Sequence, residues 1–277
     1  MIFVRLDLHT HSTASDGEWP PDEVVRRAFA QGVKLLALTD HDAVDGIPAA
    51  QAEGKRLGVL IVPGVELSAD HPGELHILGY GIHYDSPLWS RFLEGQQQRR
   101  LTRNQALIQK LAQLGMPLDG TELELSRSRT HIAQAMVQKG YALSIREVFT
   151  RWLDYGKPCY MPGARPPSGE CIRLIRETGG DAVLAHPGLM DETGPEREQL
   201  WARLRDEGLA GVEAFYPRHS HEQALEFVAL AQRLGLFTTY GSDTHGALKP
   251  NVRFMKDIER FPLPESLWAR ARGWAKA

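Results

Sequence analysis

The sequence contains little cysteine. Of its 277 residues only Cys159 and Cys171 are cysteines, and they lack the close spacing of a metal-binding or redox pair. This scarcity argues against a disulfide framework and against a thiolate-rich metal site. It also predicts a reducing, cytoplasmic setting.

Long apolar runs and an excess of charge of one sign are also missing. The mean hydropathy of -0.32 argues against a membrane span, and the opening MIFVRLDLHTHS lacks the features of a secretory signal. The net charge of -3 provides no general basic field for nucleic acid. An anionic substrate would therefore need local cations, for which bound metal ions are natural candidates, and no obligate protein partner is indicated.

Short β-rich runs alternate with amphipathic helical patterns along most of the chain. One example is DEVVRRAFAQG, which places Val24, Val25, Ala28 and Phe29 on one helical face and ends at Gly32. Strands that alternate with helices predict an α/β fold with a mostly parallel sheet. The predicted strands cover residues 3–8, 35–39, 60–67, 75–80, 182–185, 211–215 and 237–240.

Residues 96–163 depart from this alternation and predict a helical insertion. QQRRLTRNQALIQKLAQLG forms one amphipathic pattern that ends at Gly115, and two shorter helices are expected over 132–139 and 145–155. We therefore expect a discontinuous main domain, residues 1–95 and 164–277, with the insertion covering its active-site face. The apolar side of the first inserted helix is predicted to comprise Leu101, Leu107, Ile108, Leu111 and Leu114.

Histidines and carboxylates recur where the predicted strands end. His9 and His11 lie two residues apart, so their imidazoles point to the same side, and Asp16 follows on a glycine-containing turn. His76 lies inside an apolar strand, where an unpartnered imidazole would be costly. In α/β barrels such strand ends carry the active site. The other candidates at strand ends are Asp40, His41, Asp42, Glu66, His186, Asp243 and His245.

The ordered motifs HTHSTASDG, TDHD, GVE, AHP and GSDTH, with the isolated strand histidine, resemble those of the PHP (polymerase and histidinol phosphatase) superfamily. RSRTHIAQAMV, GKPCYMP and AHPG resemble its TrpH/YciV-like subgroup, which includes 3',5'-nucleotide bisphosphate phosphatases. The resemblance implies a distorted seven-stranded (β/α) barrel of PHP type with a helical insertion capping the active site. It also implies a metal-dependent phosphoesterase in which a hydroxide held between metal ions attacks phosphorus.

The resemblance further implies a set of residues for each of up to three metal ions. His9, His11, Glu66 and Asp243 would hold the first ion; Glu66, His76 and His186 the second; and Asp16, His41 and His245 the third. Mixed imidazole and carboxylate ligands suit Mn²⁺, which we expect, as well as Zn²⁺ or Fe²⁺. Asp40 and Asp42 are interpreted as carboxylates that orient metal-bound imidazoles, with turn capping as the alternative.

Several further residues are candidates for contact with the substrate. The subgroup resemblance implies that Arg129, His131 and Lys157 bind the substrate, Arg129 and Lys157 through a phosphate, with support of its own helix as the alternative for His131. His221 is a candidate proton donor to the leaving oxygen, with a local hydrogen-bonding role as the alternative. Glu213 is expected to support the cluster. Relatives often carry a basic residue after His-Pro-Gly, whereas this chain has Leu189.

A nucleotide-type phosphate ester, such as a 3',5'-nucleotide bisphosphate, is the expected substrate. Trimming of short RNA from its 5' end, cleavage of a cyclic phosphodiester and a histidinol-phosphatase activity remain alternatives. The order of the motifs favours phosphate esters over amides. A noncatalytic binding module would predict lost ligands, but all nine ligand positions are filled.

Overall fold

The computed structural model describes residues 5–118, 129–161, 165–246 and 265–276, apart from the side chains of residues 97, 100, 129–131 and 265. The chain divides into two compact units. The large unit comprises Met1–Ser90 and Pro167–Ala277, and the small unit comprises Arg91–Pro166.

Seven strands form one sheet in chain order, with the neighbours β1–β2, β2–β3, β5–β6 and β6–β7 parallel. β4 pairs antiparallel with both β3 and β5. The prediction of an α/β fold with a mostly parallel sheet is therefore confirmed. The strands are β1 Arg5–Asp7, β2 Val33–Leu38, β3 Leu60–Ala69, β4 Leu75–Tyr80, β5 Asp181–Leu184, β6 Gly211–Phe215 and β7 Phe237–Tyr240.

Amphipathic helices cover the sheet because their apolar faces bury against it. α1 begins after Pro20 and buries Val24, Val25 and Ala28, whereas Phe29, predicted on the same face, is 40% exposed. Strands β2 and β4 are almost wholly buried, as expected for a sheet lined on both sides. The helices of the large unit are α1 Pro21–Ala30, α2 Ile47–Leu57, α6 Ser168–Glu177, α7 Gly194–Glu207, α8 His221–Arg233 and α9 Glu265–Trp274.

Residues that follow the two edge strands of the sheet lie side by side. Leu8 N–H donates to the Tyr240 carbonyl at 3.1 Å, and Thr10 and Thr244 form an isolated parallel bridge. Closure of the sheet into a barrel stays a prediction. Among the described residues, no helix has an apolar stretch long enough to cross a membrane.

The small unit has a hydrophobic core of its own. α3 (Pro87–Gln113) starts before the predicted boundary near residue 96 and is followed by α4 (Arg129–Gln138) and α5 (Ile145–Val148), which leads into a π-helical turn. Leu107, Ile108 and Leu111 are buried as predicted. Leu101 and Leu114, however, are 40% and 50% exposed. Helical periodicity assigns a face, but it does not show how far along the helix the packing partners extend.

Candidate metal centre

The ends of several strands bring the predicted histidines and carboxylates to one edge of the sheet. The segments after β1, β2, β5 and β7 carry His9 and His11, His41, His186, and Asp243 and His245, respectively. Glu66 lies within β3 and pairs with Leu78 of the antiparallel strand β4. His76 lies two residues before Leu78 in the same strand. β4 runs in the opposite direction, so its beginning meets the carboxyl ends of the other strands.

Glu66 lies at the centre of the cluster. Its Oε2 is 3.2 Å from both His9 Nε2 and His11 Nε2, and 3.1 Å from His41 Nδ1. Its Oε1 is 3.0 Å from both His76 Nδ1 and His186 Nε2. One fully buried carboxylate therefore contacts five imidazoles, and each of its oxygens faces a different set.

Asp243 and Asp16 extend the cluster on the side of His11. Asp243 Oδ1 lies 3.2 Å from His11 Nε2 and 3.4 Å from His245 Nδ1. Asp16 Oδ1 lies 3.2 Å from His245 Nε2, although 57% of the Asp16 side chain is exposed. Asp16 is thus at the solvent-facing margin of an otherwise buried centre.

The structure brings all nine predicted ligand residues together. Their donor atoms form three groups that could each hold a metal ion: His9, His11, Glu66 and Asp243; His41, Glu66 and His76; and His11, Asp16, His41 and His245. The first group has the expected members. His41 lies in both other groups, and His186 joins them through Glu66 Oε1.

The donor set fits divalent metal ions. Two atoms bound to one ion at about 2.0–2.2 Å lie roughly 3.0–3.5 Å apart, depending on the angle. The distances from Glu66 Oε2 to three imidazole nitrogens, 3.1–3.2 Å, fall in this interval. Within the described part of the chain, Glu66 Oε2 accepts no hydrogen bond and so keeps its lone pairs for an ion.

The charges of the cluster stabilise one another. Burial raises the pKa of Glu66, but the imidazoles of His41, His9 and His76 outweigh it and hold that pKa well below its ordinary value. Burial lowers the pKa of His11, yet the Asp243 and Glu66 carboxylates offset it and raise that pKa to about 9. Protons on imidazoles therefore balance the buried carboxylates, and bound cations can replace them.

Glu213 supports the cluster from β6, as expected. Its oxygens lie 3.0 and 3.2 Å from His9 Nδ1, and Oε2 accepts the His186 N–H at 2.9 Å. When His9 Nδ1 donates to Glu213, the Nε2 lone pair faces the first group of ligands. A Cβ at Gly241 would lie 2.2 Å from both Glu213 Oε1 and His9 Cβ, which explains the glycine there.

Three supporting residues were not identified from the sequence. Asp7 accepts the N–H groups of His9 and Ser242, and its burial raises the pKa to about 6. Tyr216 donates to Asp243 Oδ2 at 3.0 Å. His219 is buried, bonds the Ala214 carbonyl, and accepts the N–H of Gly188 at 3.0 Å. For Asp7 and Tyr216 the available signal was their position within DLH and directly after GVEAF, whereas His219 meets Gly188 across 31 positions, a contact without a local signal.

Hydrogen bonds made by Asp40 and Asp42 fit turn capping, the second of the two roles considered for them. Asp40 accepts from Ser12 N–H, Ser12 Oγ and Ser15 Oγ at 2.6–2.7 Å, so it stabilises the loop after His11. Asp42 has φ +46° and accepts the Ser68 N–H at 3.2 Å. These bonds stabilise the loop after His11 and the turn after β2. The fold explains these bonds, because it brings the Ser12–Ser15 loop to Asp40 and Ser68 of β3 to Asp42 across 25–28 positions of the chain.

The backbone is strained at two of the candidate ligands. His186 has φ +24° and Asp243 has φ +56°, both in a region that residues with a Cβ rarely adopt. Such conformations persist where surrounding contacts enforce them, and they cluster at functional sites. The Glu213 bond to His186 N–H and the His9 carbonyl bond to Asp243 N–H, at 2.9 and 2.8 Å, provide those contacts.

The roles of the predicted substrate residues stay predictions. Lys157 is exposed, and the side chains of Arg129 and His131 lie outside the described residues. His221 is exposed as the first residue of α8, beside the Ser220–Gln223 capping box, and belongs to none of the three groups. Its role as a proton donor stays a prediction.

A family model described as PHP domain matches residues 7–160. A 3',5'-nucleoside bisphosphate phosphatase from Chromobacterium violaceum is 35% identical over 273 residues, covering 95% of each chain. A 5'-3' exoribonuclease Rnm from Salmonella typhimurium is 35% identical over 253 residues, covering 87% of this chain and 85% of the relative.

Two further proteins are similar along most of their length. A phosphoribosyl 1,2-cyclic phosphate 1,2-diphosphodiesterase from Eggerthella lenta is 34% identical over 260 residues, covering 90% of this chain and 97% of the relative. A solved structure described as an amidohydrolase from Chromobacterium violaceum, with bound sulfate and no metal, has a TM-score of 0.79 and 32% identity, covering 98% of this chain and 97% of that chain. Together with the buried cluster, these matches show that the chain belongs to the PHP family and is a metal-dependent phosphoesterase.

Proposed function

We propose that the chain removes a phosphate from nucleotide-type esters, with a 3',5'-nucleoside bisphosphate as the preferred substrate. The observation that carries the proposal is the Glu66 carboxylate, whose two oxygens face separate sets of imidazoles. Such a shared carboxylate suits adjacent metal ions. The 35% identity to a bisphosphate phosphatase across 95% of both chains supports this substrate.

We assign two to three divalent ions to the centre, with Mn²⁺ preferred because the ligands mix imidazoles and carboxylates. When bound, such ions supply positive charge for phosphoryl oxygens and acidify a water molecule. The chain contributes fixed ligands, since Glu213 holds His9 and the His186 backbone in place. We also propose that the sheet closes into the distorted barrel expected for the family. The three sets would be His9, His11, Glu66 and Asp243; Glu66, His76 and His186; and Asp16, His41 and His245.

We propose that the small unit supplies cations for a phosphate that is not cleaved. Lys157 is an exposed cation in a turn held by its own N–H bond to the Asp154 carbonyl at 3.0 Å. Tyr155, 67% exposed, lies 5.3 Å from Tyr160 between ring centroids. Exposed aromatic rings next to a cation favour a ligand with both a base and a phosphate. Arg129 is assigned to the same task.

A 5'-3' exoribonuclease activity is the second candidate. The relative named for that activity is also 35% identical, across 87% of this chain. Leu189 is a reason to keep this alternative. It is a half-buried apolar residue in the turn Pro187–Leu189 that follows β5, where relatives often carry a basic residue. A preference based on a cation at that turn would therefore not transfer to this chain.

The test is a substrate comparison with Mn²⁺-loaded protein. Initial rates would be measured for a 3',5'-nucleoside bisphosphate, a 5'-phosphorylated oligoribonucleotide, a cyclic phosphate and histidinol phosphate. We expect the highest kcat/KM for the bisphosphate, with one inorganic phosphate released per molecule. Faster release of mononucleotides from the oligoribonucleotide would establish the second candidate instead. Turnover of none of these esters would overturn the proposed function.

A further inference from the structure

Tyr216, the first residue after β6, contacts residues from two of the ligand-bearing loops. Its hydroxyl donates to Asp243 Oδ2 at 3.0 Å, and its ring centroid lies 5.5 Å from that of His186. The side chain is almost fully buried, with the residue 2% exposed. A buried tyrosine hydroxyl that donates to a candidate metal ligand restrains that ligand directly.

The two oxygens of Asp243 have different surroundings. Oδ1 faces His11 Nε2 at 3.2 Å and His245 Nδ1 at 3.4 Å, whereas Oδ2 accepts the Tyr216 hydroxyl. The hydrogen bond occupies one oxygen and fixes the rotation of the carboxylate, which leaves Oδ1 directed at the imidazoles. The backbone of Asp243 is left-handed, with φ +56°, so this conformation also requires contacts that hold it.

We propose that Tyr216 is a positioning residue that makes Asp243 a ligand through one oxygen and thereby sets the metal affinity of the group His9, His11, Glu66 and Asp243. The inference rests on the proposed metal-binding role of this group. Tyr216 itself does not bind the ion, so its effect passes through the orientation of Asp243. Partners that orient ligands in this way typically change metal affinity by about 10–100-fold when they are removed.

The hydroxyl and the ring of Tyr216 can be tested separately. Tyr216→Phe removes the donor to Asp243 but keeps the ring beside His186 and His219, whose centroids lie 5.5 and 5.1 Å away. Tyr84→Phe is the control, because it also removes one tyrosine hydroxyl that donates a hydrogen bond, to Gln51 Oε1 at 3.0 Å. Tyr84 lies beyond the end of β4, whereas His76 lies near its start.

The experiment measures Mn²⁺ affinity by competition with a chelator, starting from metal-free protein. We expect Tyr216→Phe to weaken the tightest site by about 10–100-fold, and Tyr84→Phe to leave it unchanged. Both metal-free variants should still unfold in one cooperative thermal transition, which shows that each remains folded. Wild-type affinity in Tyr216→Phe would overturn the inference. If the wild-type protein itself bound no Mn²⁺, the proposed function would fail instead.

A second comparison distinguishes positioning from a general loss of structure. In an Asp243→Asn background, Tyr216→Phe should weaken Mn²⁺ binding by much less than in the wild type, because the restrained carboxylate is already gone. An equal loss in both backgrounds would show that the tyrosine acts elsewhere and would contradict the inference.

Discussion

The metal cluster of the large unit and the predicted substrate residues of the small unit differ in how firmly their surroundings hold them. Glu66 is fully buried and contacts five imidazoles, and Glu213 of β6 holds both the His9 imidazole and the backbone N–H of His186. Lys157, in contrast, is exposed, and its backbone alone is held in a turn. The comparison teaches that the candidate metal ligands belong to a buried network of contacts, whereas the proposed substrate residue Lys157 lies on the surface, where it could change without disturbing that network.

The largest effect is expected from Glu66→Gln. The amide loses the negative charge and offers a nitrogen that cannot bind a metal, so kcat/KM should fall by more than about 100-fold, beyond the loss typical of an orienting partner. Asp16→Asn, at the exposed margin, should cost about tenfold or less. Steady-state kinetics and metal analysis check both variants. Wild-type turnover and metal content in Glu66→Gln would refute the central role of this carboxylate.

Metal binding should be strongly pH-dependent, because protons compete for the same nitrogens. Nearby carboxylates more than offset burial and raise the pKa of His11 to about 9, so below that pH its proton must leave before an ion binds. Release of one proton makes affinity for Mn²⁺ rise about tenfold per pH unit. Chelator competition at pH 6, 7 and 8 measures this slope. A constant affinity over that interval would show that His11 is not a ligand.

Smaller and selective effects are expected from Arg129→Ala and Lys157→Ala. Losing one charge-assisted contact to a phosphate costs about 1.5–3 kcal/mol. That loss corresponds to roughly ten- to a hundred-fold in kcat/KM for a bisphosphate or a phosphorylated oligonucleotide. An aryl phosphate lacks the second phosphate, so its turnover and the metal content should stay near the wild-type values. Arg146→Ala removes another exposed cation of the small unit and serves as the control.

The decisive quantity is the difference in kcat/KM loss between the bisphosphate and the aryl phosphate. Equal losses with aryl phosphate and bisphosphate would place these cations at the cleaved phosphate or in folding. No loss with either substrate would assign them to an ordinary solvated surface.

The smallest effect is expected from Leu114→Ala. This leucine is 50% exposed, so its truncation should change the free energy of unfolding by less than about 0.5 kcal/mol. Leu111→Ala, at a fully buried position of the same unit, should cost about 2–5 kcal/mol. Chemical denaturation of the two variants measures both values. Equal costs would contradict the packing of α3.

The clustering of the candidate metal ligands could be predicted from the sequence because their signal is local and repeated. His9 and His11 share a side by strand alternation, and the other ligands follow or interrupt apolar runs. The alternation of strands and helices likewise predicted the α/β sheet. The apolar spacing also predicted that α3 is helical. The exposure of Leu101 and Leu114 could not be predicted in this way, because it depends on which other segments pack against them.

The supporting contacts were less predictable because their partners are distant in sequence. Glu213 and His9 are 204 positions apart, yet their side chains meet at 3.0 Å. Tyr216 bonds Asp243 across 27 positions, and no local pattern distinguishes it from a core tyrosine. Asp40 looked like a partner for imidazoles but bonds the serines of the neighbouring loop. Such pairings depend on how the strands and loops pack together, which the local sequence pattern does not specify.

The most direct test of the metal-cluster assignment is a titration of metal-free protein with Mn²⁺, followed by both bound metal and hydrolysis of a 3',5'-nucleoside bisphosphate. Three groups of candidate ligands that share Glu66, His11 and His41 could each hold an ion. We predict that turnover appears only as at least two ions bind per chain, and that a chelator abolishes it. Full turnover with one ion or none would contradict the assignment.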